Sequence, residues 1–295
     1  MAGVSMETGI VIKPSAWLYA ENRKNRIDEI FMGWAVGILG ERDGFFEVIT
    51  HYGYKGYIEK KALLCCTCEQ LRERDRSRQT AVIKRAFVDV MQEPTVQSRV
   101  LLTLCKGSFL TLLPEESNGY RRIELSDGQE GYIPCISYQY RMESDGYFYT
   151  EKPETYFRNQ NKKTIRTEHM IRELLAASAK NYLGTQYRWA GKSGEGIDCS
   201  GLTFMCYLMN GILIYRDAEL KKEYPVHEIS LAQIDVGDLL YFPRHVAMYI
   251  GNQRYIHATA NERSFGCVIN SLSKQDFDYR KDLAESILMA GSVFT

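Results

Sequence analysis

A nucleophile and two bases stand out in the C-terminal third of this 295-residue chain. Cys199 lies in Gly196-Ile197-Asp198-Cys199-Ser200-Gly201-Leu202, directly before an amphipathic run of Leu202, Met205, Cys206 and Met209 that Gly211 ends. Asp198 and Ser200 both favour a helix start, so Cys199 is expected at a helix N-terminus. Unpaired N–H groups and the helix dipole there favour a thiolate, the form in which cysteine attacks a carbonyl. Taken alone, the segment fits a buried structural cysteine beside an ordinary N-cap better, and Cys206 is read in that way.

A thiolate needs a base, and the base needs an orienting partner. The chain has five histidines, at 51, 169, 227, 245 and 257. His245-Val-Ala-Met-Tyr-Ile250 and Arg254-Tyr-Ile-His257-Ala flank a Gly251-Asn252-Gln253 turn and read as a hairpin. If Asn252 centres the turn, Ala247 lies opposite His257. His245 is then its diagonal neighbour on the same face, ~7–8 Å away between backbones. A slip of one residue would separate them. The arrangement permits a Cys-His-His relay in which His257 holds His245 in one tautomer, and two satisfied surface histidines remain the other reading.

The elements that would carry these residues follow from periodicity. Ile171, Leu174, Leu175, Ser178, Ala179 and Tyr182 recur at helical spacing, with Gly184 as a stop. After the second helix come four β-rich runs, Leu239 to Phe242, Val246 to Ile250, Arg254 to Thr259 and Ile287 to Val293, which make an α+β domain. The first half repeats itself. Gly44-Phe45-Phe46-Glu47-Val48-Ile49 leads to Gly56-Tyr57-Ile58, and Gly119-Tyr120-Arg121-Arg122-Ile123 leads to Gly131-Tyr132-Ile133. Further strands are expected at Trp34 to Leu39, Val100 to Leu104 and Phe109 to Leu113, giving two small β modules parted by a charged stretch from Glu69 to Arg78.

Composition sets bounds. Forty-five per cent hydrophobic residues suffice for buried cores, and this length predicts two or three domains. The 37 basic and 37 acidic residues balance, which argues against a nucleic-acid or anionic-membrane partner held by net charge. No stretch approaches the ~20 apolar residues of a membrane helix. Met1 to Ile12 lacks a basic region followed by an apolar one, so the expected setting is the cytoplasm. Eight irregularly spaced cysteines in a chain of this size read as reduced thiols. Cys65, Cys66 and Cys68 invite a zinc reading, but a structural zinc takes four ligands and no second pair answers them. They are read as small apolar fillers, and no metal is expected.

The runs Leu183-Gly184-Thr185-Gln186-Tyr187-Arg188-Trp189-Ala190-Gly191 and Gly196 to Leu202 resemble the signature of the NlpC/p60 cysteine peptidases. So do Val236-Gly237-Asp238-Leu239-Leu240-Tyr241-Phe242, His245 to Gly251, and Ile256-His257-Ala258. The β modules resemble bacterial SH3 domains. The resemblance implies two small all-β SH3-like barrels, at 1–75 and 79–140, a linker at 141–164, and a papain-like α+β catalytic domain at 165–295. It also implies Cys199 as nucleophile, His245 as general base and His257 as third member, with Tyr187 helping the Cys199 N–H to stabilise the oxyanion. Asp198, with Ser200 beside it, and Tyr54 match positions that receive the free α-amine of a substrate's L-Ala, and Asp217 matches a polar stretch that lines the same pocket.

The implied reaction is hydrolysis of the γ-D-glutamyl-L-diamino acid bond in short peptidoglycan stem peptides, in wall-peptide recycling, without a cofactor. Rival readings are a wall-fragment-binding protein with an inactive peptidase fold, and an amidase or acyltransferase using the same residues. Three positions depart from the family pattern: Ala190 where Gly is usual, Tyr215 where Pro is usual before Arg216-Asp217, and Ala218 where Ser is frequent.

Overall fold

The structure, a computed structural model, describes residues 7–77, 79–140 and 167–294, so the linker expected at 141–164 lies outside the described residues. The chain divides into two units, Met1–Thr150 and Glu151–Thr295.

In the first unit the sequence repeat becomes a repeat of topology. Strands β1 (Glu7–Val11), β2 (Ser15–Tyr19), β3 (Arg26–Phe31), β4 (Ala35–Arg42), β5 (Phe45–Thr50), β6 (Lys55–Glu59) and β7 (Leu63–Thr67) form one antiparallel sheet. Strands β8 (Gln79–Ile83), β9 (Phe87–Met91), β10 (Val100–Cys105), β11 (Phe109–Ser117), β12 (Tyr120–Glu124), β13 (Glu130–Pro134) and β14 (Tyr138–Tyr140) form another. The orders β3-β2-β6-β5-β4-β1-β7 and β10-β9-β13-β12-β11-β8-β14 are the same order in each set of seven.

The Gly-Tyr-Ile signature has a packing cause. Ile58 and Ile133 are buried in their modules, while a Cβ on Gly131 would lie 2.5 Å from Val90 and one on Gly56 3.1 Å from Ile27. The glycines let neighbouring strands close over them. The charged stretch between the modules is a helix, α1 (Cys68–Ser77). The modules touch directly: Trp34 Nε1 donates to the Gly107 carbonyl at 2.8 Å and Phe109 N to the Met32 carbonyl at 2.8 Å. Gly33 sits at φ +83 where a Cβ would lie 2.5 Å from the Phe109 carbonyl oxygen.

The second unit opens with α2 (Glu168–Lys180), capped by Thr167, whose side chain accepts from Met170 N at 3.3 Å. A short hairpin, β15 (Lys192–Ser193) and β16 (Gly196–Ile197), leads into α3 (Cys199–Leu208). Every residue of α3 from Cys199 to Tyr207 is buried, as expected for a helix apolar on all sides. A six-stranded sheet follows, ordered β17-β22-β18-β19-β20-β21, from β17 (His227–Ile229), β18 (Leu239–Phe242), β19 (His245–Tyr249), β20 (Arg254–Thr259), β21 (Gly266–Ser271) and β22 (Met289–Ser292).

Sequence reading missed β17 and β21, and began the last strand two residues early because Ile287 and Leu288 follow the short helix α4 (Lys281–Ala284). Strand β17 is too short and polar to show alternation; pairing with β22 makes it a strand. The Gly237-Asp238 motif ties the layers together. Tyr207 donates to the Gly237 carbonyl at 2.5 Å, and Arg172 of α2 donates to Asp238 at 2.9 Å. Among the described residues no helix is long and apolar enough to cross a membrane.

Candidate active site

Asp198 is the extended N-cap of α3, its Oδ1 accepting from Gly201 N at 2.6 Å, so Cys199 is the first residue of the helix. The hairpin before it packs against the helix through glycines: a Cβ on Gly201 would lie 2.2 Å from the Gly191 carbonyl oxygen, and one on Gly191 2.3 Å from that of Gly196. Cys199 is 7% exposed. Burial pushes its thiol up to about 12, and the Asp198 carboxylate adds to that. The backbone N–H groups of Val246 and Ser200 and the Arg216 guanidinium pull the other way. Desolvation is the largest of these effects and favours the protonated thiol. The Val246 contact ties the nucleophile to the strand that carries His245.

The hairpin has the expected register. Met248 pairs with Ile256 and Tyr249 with Tyr255, around a turn in which Gly251, Asn252 and Gln253 all have positive φ. His245 and His257 thus share a face, with His245 Nε2 2.7 Å from His257 Nδ1. His257 is fully buried and its Nε2 lies 2.9 Å from Asn270 Oδ1. Asn270 Nδ2 in turn donates to the Asp278 carbonyl at 2.8 Å. Burial holds both imidazoles neutral, lowering His245 to about 3, with the His257 and Arg280 charges adding to it, and His257 to about 4 against the Asn270 bond.

Asn270 was absent from the sequence-based set. His257 pairs with Val268, so Asn270 is its diagonal neighbour, the relation His245 bears to His257 from the other side. The signal was the Gly266-Cys-Val-Ile-Asn-Ser271 run, which only becomes informative once it is read as a strand.

Tyr187 makes a bridge to Ile197, supported by Arg188 N donating to the Ile197 carbonyl at 3.2 Å and Ile197 N to the Gln186 carbonyl at 3.0 Å. Burial raises its hydroxyl pKa well above the usual phenol range, and the nearby Cys199 and Asp198 charges add to the rise. Its ring meets Phe265 edge-on at 6.3 Å.

Asp198 does more than cap. Arg216, buried with 1% exposure, donates to Asp198 Oδ1 at 3.2 Å, to Oδ2 at 3.1 Å and to Ser200 Oγ at 2.7 Å. Sequence reading quoted Arg216 only as part of a motif. Asp217 follows it half-buried, hydrogen-bonded with Tyr215. Cys199, His245, His257, Tyr187, Asp198 and Ser200 therefore come together. Tyr54 belongs to the first unit, in the turn between β5 and β6, with its N–H on Thr50 Oγ1 at 3.0 Å and its ring 6.3 Å from that of Tyr52. All eight cysteines are free, and among the described residues no group of three or more His, Cys, Asp or Glu is arranged to hold a metal ion.

Comparison with known proteins bears on this geometry. A family model described as the NlpC/P60 family matches residues 184–281, the stretch that holds Cys199, His245 and His257. The chain is 35% identical to Dipeptidyl-peptidase 6 of Lysinibacillus sphaericus over 291 residues, 97% of this chain and 99% of that protein. It is 27% identical over 264 residues to the Gamma-D-glutamyl-L-lysine dipeptidyl-peptidase of Bacillus cereus, 84% of this chain and 71% of that one. The crystal structure of an NlpC/P60 family protein from Bacillus cereus matches with a TM-score of 0.75 over 96% of this chain and 98% of its own, at 20% identity, a likeness of fold. With a relative matched along nearly its whole length at that identity, the chain belongs to the NlpC/P60 family.

Proposed function

We propose that this protein is a cysteine peptidase that hydrolyses the γ-D-glutamyl-L-diamino acid bond of short peptidoglycan stem peptides carrying a free N-terminal L-Ala, releasing L-Ala-D-Glu. The observation that carries the reading is the hydrogen-bonded chain His245–His257–Asn270, which starts on a strand whose Val246 N–H meets Cys199, the first residue of a buried helix. The names of the relatives support both the γ-D-glutamyl bond and the release of a dipeptide.

The chemistry follows from resting protonation. Thiol and imidazole both start neutral, so His245 takes the Cys199 proton as the sulfur attacks the γ-carbonyl carbon. The oxyanion receives the Cys199 N–H, unpaired in the first helical turn, and the Tyr187 hydroxyl; such preorganised donors are worth roughly 3–4 kcal/mol of barrier. The His245 imidazolium then protonates the departing amine of the diamino acid. A thioester remains, and water, activated by neutral His245, hydrolyses it to free the dipeptide.

The substrate ammonium is assigned to Asp198, with Ser200 and Asp217 around it. Asp198 Oδ2 accepts from Arg216 Nη2 and retains a lone pair for the amine. Small peptides with a free amine fit the recycling of wall fragments.

The test is incubation with L-Ala-γ-D-Glu-meso-diaminopimelate, L-Ala-γ-D-Glu-L-Lys and their N-acetyl analogues, with products read by mass. Release of L-Ala-D-Glu from the free-amine peptides alone is expected. Cleavage of the acetylated peptides as well would remove the amine site, and binding without cleavage of any would sink the peptidase reading.

A further inference from the structure

The two imidazoles and the Asn270 amide could be joined by hydrogen bonds in two senses, set by which end of the amide faces His257, and only one of them also bonds the Asp278 carbonyl. In the observed arrangement Asn270 Nδ2 donates to the Asp278 carbonyl at 2.8 Å, so its Oδ1 faces His257 Nε2 at 2.9 Å. An acceptor there requires the His257 proton on Nε2, which leaves Nδ1 as a lone pair. Across 2.7 Å that lone pair accepts the Nε2 proton of His245, and His245 Nδ1 is left unprotonated. With the Asn270 amide reversed, every proton moves to the other nitrogen. His245 Nδ1 then carries hydrogen and takes nothing from Cys199. A carbonyl oxygen only accepts, so the Asp278 carbonyl decides between the two arrangements.

That carbonyl is itself held. The Asp278 carboxylate pairs with the Arg254 guanidinium, which also lies 3.5 Å from Asp276. Ser271 N donates to the same carbonyl at 3.4 Å, and Leu272 N to the Gln253 carbonyl at 2.7 Å. Arg254 begins β20, the strand that carries His257, so one strand anchors both ends of the chain of bonds. Leu272, Leu283 and Ile287 pack on the buried cluster of Leu240, Phe242, Ala247 and Tyr255, closing the segment over this face.

We propose that Arg254, Asp278 and Asn270 are positioning residues that set the His245 tautomer whose Nδ1 is free to take the Cys199 proton. The proposal rests on His245 being the base of the peptidase reading. Arg254 and the Asp278 side chain touch no reacting atom; they act through a backbone carbonyl and two intervening side chains.

Nitrogen-15 NMR of labelled histidine in the full chain at neutral pH reads the tautomers without turnover. Wild type is expected to show Nε2 protonated and Nδ1 unprotonated in both His245 and His257. Arg254→Gln, a partly exposed change, is expected to add the opposite tautomer and to lower kcat on L-Ala-γ-D-Glu-L-Lys by about tenfold with KM unchanged. Arg254→Lys is expected to restore most of both, which a merely unfolded variant would not do. A protonated Nδ1 on His245 in wild type overturns the proposal, and so does an Arg254→Gln protein with unaltered spectrum or unaltered kcat. A wild type with the expected tautomers and a shifted Arg254→Gln spectrum, but no cleavage, overturns the peptidase reading alone.

Discussion

Arg216 grips both carboxylate oxygens of Asp198, at 3.2 and 3.1 Å, and the two residues are 1% and 6% exposed. The residue before the nucleophile is thus a buried ion rather than a solvated cap. The same guanidinium reaches Ser200, so three residues around Cys199 form one network. Removing one partner of a buried pair leaves the other charge uncompensated.

Arg216→Met is therefore expected to lower stability by about 3–5 kcal/mol in urea unfolding followed by a probe in the catalytic unit. Asp198→Asn should lose less, since the amide oxygen still caps Gly201. Equal and small losses, under about 1 kcal/mol for both, would contradict a network of this kind.

Acid is expected to unfold the catalytic unit through its histidines. In the unfolded chain His245 and His257 bind protons near their ordinary value of 6.5, whereas burial keeps the folded groups neutral down to about 3 and about 4. Between those values the unfolded state binds more protons, so stability is fully present above 6.5 and falls as pH drops below it. Comparing urea midpoints at neutral and mildly acidic pH should show a smaller acid loss in His257→Phe than in wild type. An identical loss in both would contradict buried neutral imidazoles.

Gly201→Ala is expected to abolish activity while leaving the first unit folded. The new Cβ would stand 2.2 Å from the Gly191 carbonyl oxygen and 3.0 Å from Asp198 Oδ1, displacing either the hairpin or the nucleophile helix. Peptide cleavage and circular dichroism together would detect this, and a soluble variant with wild-type kcat/KM would contradict the packing argument.

Ala190 is a departure with a visible cost. It is buried with φ +64, a left-handed conformation that disfavours a side chain by roughly 1–2 kcal/mol. Ala190→Gly relieves that strain and adds unfolded-state freedom of opposing size, so its stability should stay within about 1 kcal/mol of wild type, with activity intact. A larger destabilisation in urea would show that the Ala190 methyl packs usefully there.

Much of this was legible because it is written in local patterns. The Gly-Tyr-Ile repeat foretold two modules of one topology, since glycine and isoleucine occupy fixed positions in the strand packing. The His245–His257 relation followed from turn position and a period of two. Asn270 was not legible, because a single Asn in an unread strand carries no periodicity. The Asp198–Arg216 pair spans a loop without a repeat, and nothing local marks Arg216 as buried. The helix start at Cys199 is visible in sequence, whereas the depth of burial that raises its thiol is not.

Rapid acid quenching during turnover of L-Ala-γ-D-Glu-L-Lys, followed by intact-protein and peptide mass spectrometry, tests the central claim most directly. The expected result is an added mass of L-Ala-D-Glu on the peptide containing Cys199, absent from Cys199→Ala, which no longer cleaves the substrate. Turnover that persists in Cys199→Ala, or an adduct on another residue, would contradict Cys199 as the nucleophile.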